Sequence, residues 1–413
     1  MFRKVLILTA YLLGCWTCEL QAGVVNSKWV GGERGYWEEP SNWNPPMVPD
    51  NNGSNTFAVT IDGGTVELIA NHSIDSLDTY ATHNKVNLKR WRLDPVVLTI
   101  ESSFTNHGEL DTPNTTHLHI YGALINATGA EIDICSEEIR VYGQVGIENS
   151  GTVYIDPDAE FKSEESNINN SGLLKMRGGV AQAEVIFRNN TAGIIEGYGA
   201  FGGQQILNAG LIESIGGTLQ LFAEAISNTG TLKNNPGSSI ATRIGPSNQS
   251  NQGLIEVYSE GAVAFDCNLM NEPNGIIRML GGTLAATTLT QKADANFAGF
   301  GGITSDVVID PNGIIKLTGP TNIVGDVTIL QDATLEISDG TTLVTGHTAC
   351  EGIIHMQSGR IIPQGGLSGD CDIIWEPGTY SNIADFNLDG QVNFKDFADF
   401  ADTWLWQADW YTP

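Results

Sequence analysis

The chain has 413 residues, enough for more than one average domain, and its 48 acidic residues face only 20 basic ones. A formal net charge of −28 repels nucleic acid and anionic membranes and suits cations, which argues against DNA or RNA binding. The 48 glycines, with frequent Asn, Thr and Ser, favour many short strands and turns over helices.

The N-terminus reads as an export signal over residues 1–22. Arg3 and Lys4 give a positive start, Val5–Leu13 is an apolar run too short to cross a bilayer, and Leu20-Gln21-Ala22 offers a cleavage site. A rival reading is "LLGC" at 12–15, which resembles a lipoprotein signal with Cys15 as the lipidated residue. Loss of residues 1–22 leaves 18 bases and 47 acids, a net of −29. No other stretch is long enough for a transmembrane helix, so the expectation is an exported protein, secreted or held at the cell surface.

Residues 23–94 are expected to form an N-terminal cap and the first strands. The stretch "WVGGERGYWEEPSNWNPPMVPDNNGS" at 29–54 carries Gly-x-x-Gly-Tyr-Trp, then Pro-Ser-Asn-Trp and a Pro-rich loop. This pattern resembles the opening of secreted bacterial proteins with β-helical, autotransporter-like repeats, and it implies strands following it, beginning with "NTFAVTIDGGTVEL". Further on, "KVNLKRWR" gathers Lys85, Lys89, Arg90 and Arg92 around Trp91, the one basic island. It could grip an anionic glycan; the plainer reading is a loop at the edge of the cap.

From about residue 95 to 380 one phrase returns: "TNHGELD", "ENSGTVYI", "NNSGLLKM", "NNTAGIIEG", "LNAGLIES" and later copies. With the related "NATGAEI", the glycines are 108, 129, 151, 172, 193, 210, 230, 253 and 275, at intervals of 17 to 23 residues, and Gly313 follows. Such a period marks a solenoid, in which one repeat cannot bury its apolar face alone. Two residues after the glycine stand Leu110, Val153, Leu174, Ile195, Ile212, Leu232, Ile255, Ile277 and Ile315, and the next position is mostly charged. That alternation predicts a short strand with one side chain inward and the next in solvent. The Asn-x-Gly before it is read as the corner, because Asn and Gly tolerate positive φ. Gly129 breaks the column, with Glu131 at the inward position and Ile132 one later, which predicts a one-residue shift in that coil. The expected fold is an all-β, right-handed parallel β-helix with coils of about 21 residues.

This geometry constrains the cysteines. Cys135 and Cys267 would lie several coils apart, beyond disulfide reach, whereas Cys350 and Cys371 are 21 residues apart, one coil, and could bond. Four buried thiols are the other reading. Solenoid ends need caps, and the tryptophans fit: Trp29, Trp37, Trp43 and Trp91 precede the repeats, while Trp375, Trp404, Trp406 and Trp410 follow them. Cap packing is the favoured reading of these indoles, carbohydrate stacking the alternative.

Evidence for a reaction is thin. Glycosidases need two carboxylates across the scissile bond, but the acidic pairs Glu137/Glu138, Asp156/Asp158 and Glu164/Glu165 are scattered on outward positions. His117 and His119 in "THLHI" face one way on a strand, a spacing zinc can use, with Leu118 and Ile120 inward. No third ligand is evident, and two solvent-facing histidines are the plain reading.

The last segment, 381–413, holds "DFNLDGQVNFKD". Calcium takes six to eight oxygen ligands, and a twelve-residue loop can deliver them from Asp385, Asn387, Asp389, the carbonyl of Gln391, Asn393 and Asp396, with Gly390 at the sharp turn. Phe394, Phe397, Ala398, Ala401, Trp404 and Leu405 then recur at helical spacing. These residues resemble one loop–helix half of a type I dockerin, whose position 12 is Asp, as Asp396 is here. The resemblance implies calcium as cofactor and docking onto a cohesin-like or matrix protein. A second such loop is absent from the sequence, which leaves attachment and capping of the last coil as two roles for the tail.

Together these observations predict an exported acidic β-solenoid, a structural, adhesive or spacer module with a calcium-binding tail. The alternatives are a carbohydrate-active β-helix, lyase or glycosidase, delivered by that tail, and non-catalytic binding of an extracellular polysaccharide.

Overall fold

The computed structural model describes residues 23–51, 55–80, 85–90, 95–113, 116–135, 138–244 and 248–375. Residues 1–22, read above as an export signal, Trp91 and Arg92 of the basic island, and 381–413, read above as a calcium loop and helix, lie outside these residues. Two compact units divide the chain after Ile226. Each is a parallel β-solenoid of the right-handed type. Among the described residues the one helical turn is Pro40–Asn42.

Many coils contribute three short strands, for example Glu131–Ile134, Glu138–Val141 and Gly146–Asn149, which pair in parallel with their counterparts one coil on, while in others the strands merge, as in Ile276–Gln291. The reason is the alternating pattern. In Thr152–Ile155, Val153 and Ile155 point inward and are fully buried, while Thr152 and Tyr154 face outward. Register then stacks like on like. In the first unit Leu110, Ile132, Val153, Leu174, Ile195 and Ile212 form one column, each 0–2% exposed. The second unit repeats this with Leu232, Ile255, Ile277, Phe297, Ile315, Leu335 and Ile354. The column ends at Ile373, 44% exposed, with no later described coil above it.

The shift expected at Gly129 is present, and its cause is visible. Ile132, not Glu131, pairs with Leu110 and Val153, and Ala130 takes the corner position at which Gly151 stands in the next coil. Gly129 (φ 79°) fills a place that Asn274 (φ 70°) and Asn312 (φ 62°) fill before Gly275 and Gly313. These coils have a longer corner that needs one left-handed residue. Two further coils have no corner glycine at all, because Ala295 and Ala333 stand there after left-handed Asp294 and Asp332. At the tight corners the backbones nearly touch: a Cβ on Gly172 would fall 2.0 Å from the Gly151 carbonyl oxygen.

The asparagine of the repeat does something other than turn the chain. Asn106, Asn126, Asn149, Asn170, Asn189 and Asn208 all point inward and are at most 2% exposed. Each of the first five donates from Nδ2 to Oδ1 of the asparagine one coil on, at 2.7–2.9 Å. The same amides donate to a backbone carbonyl beyond the next corner, as Asn149 does to Leu173 at 3.2 Å. A second ladder joins Asn228, Asn251, Asn271 and Gln291. Buried amides are costly unless paired, and here each pairs with its own copy.

At the start of the chain, Gly23–Trp29 already pairs in parallel with Asn55–Asp62, so coiling begins before the repeat phrase does. Trp29, Trp37 and Trp43 close this end. Their rings pack edge to face, with Trp37 and Trp43 centroids 4.7 Å apart, and all three are at most 5% exposed. Trp37 Nε1 donates to the Pro49 carbonyl and Trp43 Nε1 to the Trp37 carbonyl. Three buried indoles with satisfied N–H groups are packing, not a sugar-stacking surface. In the second unit Cys350 and Cys371 form a disulfide across one coil, while Cys135 and Cys267 are free thiols.

Asn170→Ala is expected to lower unfolding stability by about 2–4 kcal/mol, since it strands Asn149 on one side and Asn189 on the other. Asn190→Ala, whose exposed amide meets only Ser171 Oγ among side chains, should change it by less than about 0.5 kcal/mol. Denaturant unfolding of the two variants side by side checks this.

Candidate functional site

Outward positions of the first unit gather charge into two clusters. One runs along the strands that contain Glu109, Glu131 and Thr152. Register stacks Glu131 on Glu109 and Asp133 on Asp111, with Tyr154 following in the latter column. Like charges directly opposite across a ladder repel. Cations stand at both ends of the stack. Lys85 Nζ lies 3.1 Å from Glu109 and 3.3 Å from Asp111. Arg177 lies 3.1 Å from Asp156 and 3.8 Å from Asp133, with its guanidinium 4.0 Å over the Tyr154 ring.

The titration of these groups follows from their surroundings. Burial, then the carboxylates of Asp156 and Asp111, hold the Asp133 carboxyl above its ordinary value. Burial and Glu109 do the same to Glu131. Burial alone would lower the Lys85 ammonium, but Glu109 and Asp111 outweigh it and raise it. Cys135 Sγ donates to Asp111 Oδ1 at 3.3 Å; burial and that carboxylate push its thiol up to about 12. Asp111, Asp133 and Cys135 bring three donor atoms within 4.8 Å of one another. Both carboxylates of this group also have cationic neighbours, Lys85 for Asp111 and Arg177 for Asp133.

The second cluster lies on Thr116–Ile120, Glu138–Val141 and Glu160–Ser163. His117 and His119 face outward as expected, with Leu118 and Ile120 fully buried beneath. What the sequence did not show is Glu138, which register places beside them from one coil on. Its Oε1 lies 3.3 Å from His117 Nδ1 and 2.9 Å from His119 Nε2. Arg140 holds the other oxygen at 2.5 Å and reaches Glu164 at 3.2 Å and Glu160 at 3.6 Å. Burial would raise the Glu138 carboxyl, but the hydrogen bond with His119 and the charge of Arg140 bring it below its ordinary value. Tyr121 and Tyr142 stack alongside, centroids 5.0 Å apart.

Of the basic island, Lys85 and Lys89 are both bound to acids. Lys85 serves the acidic stack, and Lys89 lies 3.4 Å from Glu67, a carboxylate almost wholly buried and held also by Arg34 at 2.6 Å. Arg90 ends the strand Val86–Arg90. Register thus separates Lys85 and Lys89 onto two different sets of acids. The sequence lacks a local signal for either pairing, since the partners stand about one coil away.

The chain matches no protein-family model, no curated protein and no solved structure. Function is therefore argued from the residues alone.

Raised carboxyl pKa values mean that Glu131 and Asp133 work against folding once ionised; acidification through the raised values relieves them. Asp133→Asn should accordingly raise stability at pH 7 by a few tenths to about 1 kcal/mol, a gain that fades as the wild-type carboxyl itself takes up a proton. Glu336 has the opposite sign. Burial would raise it, but its bonds with Lys316 and Ser338 lower it, so its contribution is present above the ordinary carboxylate range and lost as pH falls through the lowered value. Melting curves of wild type, Asp133→Asn and Glu336→Gln between pH 3 and 7 check both signs; destabilisation by Asp133→Asn at pH 7 would overturn the first.

Proposed function

We propose that the protein is an exported, non-catalytic solenoid that serves as a spacer or adhesive module and is attached through its calcium-binding tail. One observation carries this reading: the outward charges of the strands pair from coil to coil. Lys175 meets Glu196 at 2.9 Å, Arg278 meets Glu256 at 2.6 Å, Lys292 meets Asp310 at 2.7 Å, and Lys316 meets Glu336 at 2.5 Å. Each ion pair joins neighbouring repeats along the stack. Glycoside hydrolysis needs a carboxyl group held protonated and a second left free to attack or to activate water. Here Glu138, Asp156 and Glu160 each lie against an Arg or Lys, and the raised carboxyls of Glu131 and Asp133 stack on Glu109 and Asp111, which Lys85 engages. Charges engaged in this way suit a surface whose task is to hold shape.

Attachment through the tail rests on the sequence of Asp385–Asp396, with its calcium ligands at alternating positions and Gly390 at the turn. Export rests on residues 1–22 in the same way. The partner would be a cohesin-like or matrix protein outside the cell.

Capture from extracellular and envelope extracts, with and without calcium, tests the reading when the mature chain is compared with a version ending at residue 380. A partner retained only by the full-length protein, and released by a chelator, is the expected result. Equal retention by both versions moves binding onto the solenoid. Cleavage of a polysaccharide by the purified protein, abolished by a single solenoid substitution, overturns the non-catalytic reading.

A further inference from the structure

We propose that His117, His119 and Glu138 form a binding site for a first-row divalent transition ion of the zinc, nickel or copper(II) class. The two imidazoles leave the same side of one strand, and the carboxylate arrives from the adjacent strand of the next coil. Ligands about 2.0–2.1 Å from a tetrahedral zinc ion stand roughly 3.3 Å from one another. The distances from Glu138 Oε1 to His117 Nδ1 and His119 Nε2, 3.3 and 2.9 Å, are close to two edges of that tetrahedron. For the third edge the rings must turn toward each other. As the rings stand, the three donor atoms do not all lie within 4.8 Å of one another: the ring centroids are 6.3 Å apart at an interplanar angle of 62°, and Tyr142 packs edge-on against His119. Water completes the coordination.

The surroundings hold the carboxylate in place. Arg140 grips the other oxygen of Glu138 at 2.5 Å, which leaves Oε1 facing the rings. The charge of Arg140 is in turn countered by Glu160 and Glu164. Two nitrogens and one oxygen suit a borderline transition ion rather than calcium or magnesium, which favour all-oxygen sets. This distinguishes the site from the tail loop, whose ligands are all oxygens. The site belongs to the first unit and does not depend on what the tail captures.

The test is calorimetric titration of the untagged full-length protein with zinc, then nickel, then copper(II), in saturating calcium, so that oxygen-only sites are filled. A single ion per chain is expected for the wild type. His119→Asn and Glu138→Gln should each weaken it at least about tenfold, and His117→Asn with His119→Asn should abolish it. Asp133→Asn and Cys135→Ser should leave it unchanged. Affinity should fall between pH 7.5 and 5.5, because protons compete for the imidazoles. Circular dichroism shows whether each variant keeps its strands, and Glu138→Gln, which preserves the shape of the side chain, serves if the double variant does not fold. Absence of zinc, nickel and copper binding to the wild type, or equal binding by wild type and Glu138→Gln, overturns the proposal.

Discussion

A column of buried amides sets the register of most coils in each unit, and in the second unit Ile309, Ile329 and Cys350 take its place after Gln291. An amide inside a dry core is tolerable only if both its N–H and its C=O find partners. The ladder from Asn106 to Asn208 meets that demand with identical side chains one coil apart, at 2.7–2.9 Å. Such a ladder admits one register. A slip of a single residue would point the amides into solvent and the charged neighbours into the core. Apolar columns supply most of the burial, yet Leu, Ile and Val are interchangeable along them, as Leu110, Ile132 and Val153 show. Specificity of register thus belongs to the polar column and bulk stability to the apolar one.

Much of the fold was legible because a solenoid writes its geometry into a period. The inward Leu/Ile/Val column and the shift at Gly129 follow from counting residues after the corner, and the structure has both. The corners at Ala295 and Ala333 were invisible to a search for glycine, although Asp294 and Asp332 supply the left-handed residue there. The asparagine was misread for a related reason. Asn before Gly suggests a turn, and only the stacked coil reveals that the side chain is buried in a strand.

Sites were harder to read than the fold. A residue's neighbours in space are about one coil away, 19 to 26 positions in the two cases that follow, so a side chain's partner can be named only after register is fixed to the residue. Glu138 reaching His117 and His119 is one case, and Lys85 reaching Glu109 and Asp111 another. Single-residue chemistry, such as a strand bearing two histidines, was recognisable without that knowledge. Paired chemistry was not. The same dependence explains why a strongly acidic chain tolerates stacked carboxylates: its few cations are set where the stack would otherwise be least favourable, at the ends occupied by Lys85 and Arg177.

The Cys350–Cys371 bond gives the end of the second unit a different character. A stack of coils frays from its ends, because a terminal coil has one neighbour instead of two. Here the sulfur link and the chain between two cysteines 21 positions apart form a covalent ring as long as one coil. A protease that cuts the turn between Met356 and Arg360 would open the ring but leave the two fragments joined through the Cys350–Cys371 bond. The coil would be opened without being shed, and the strand pairing on either side of the cut could re-form.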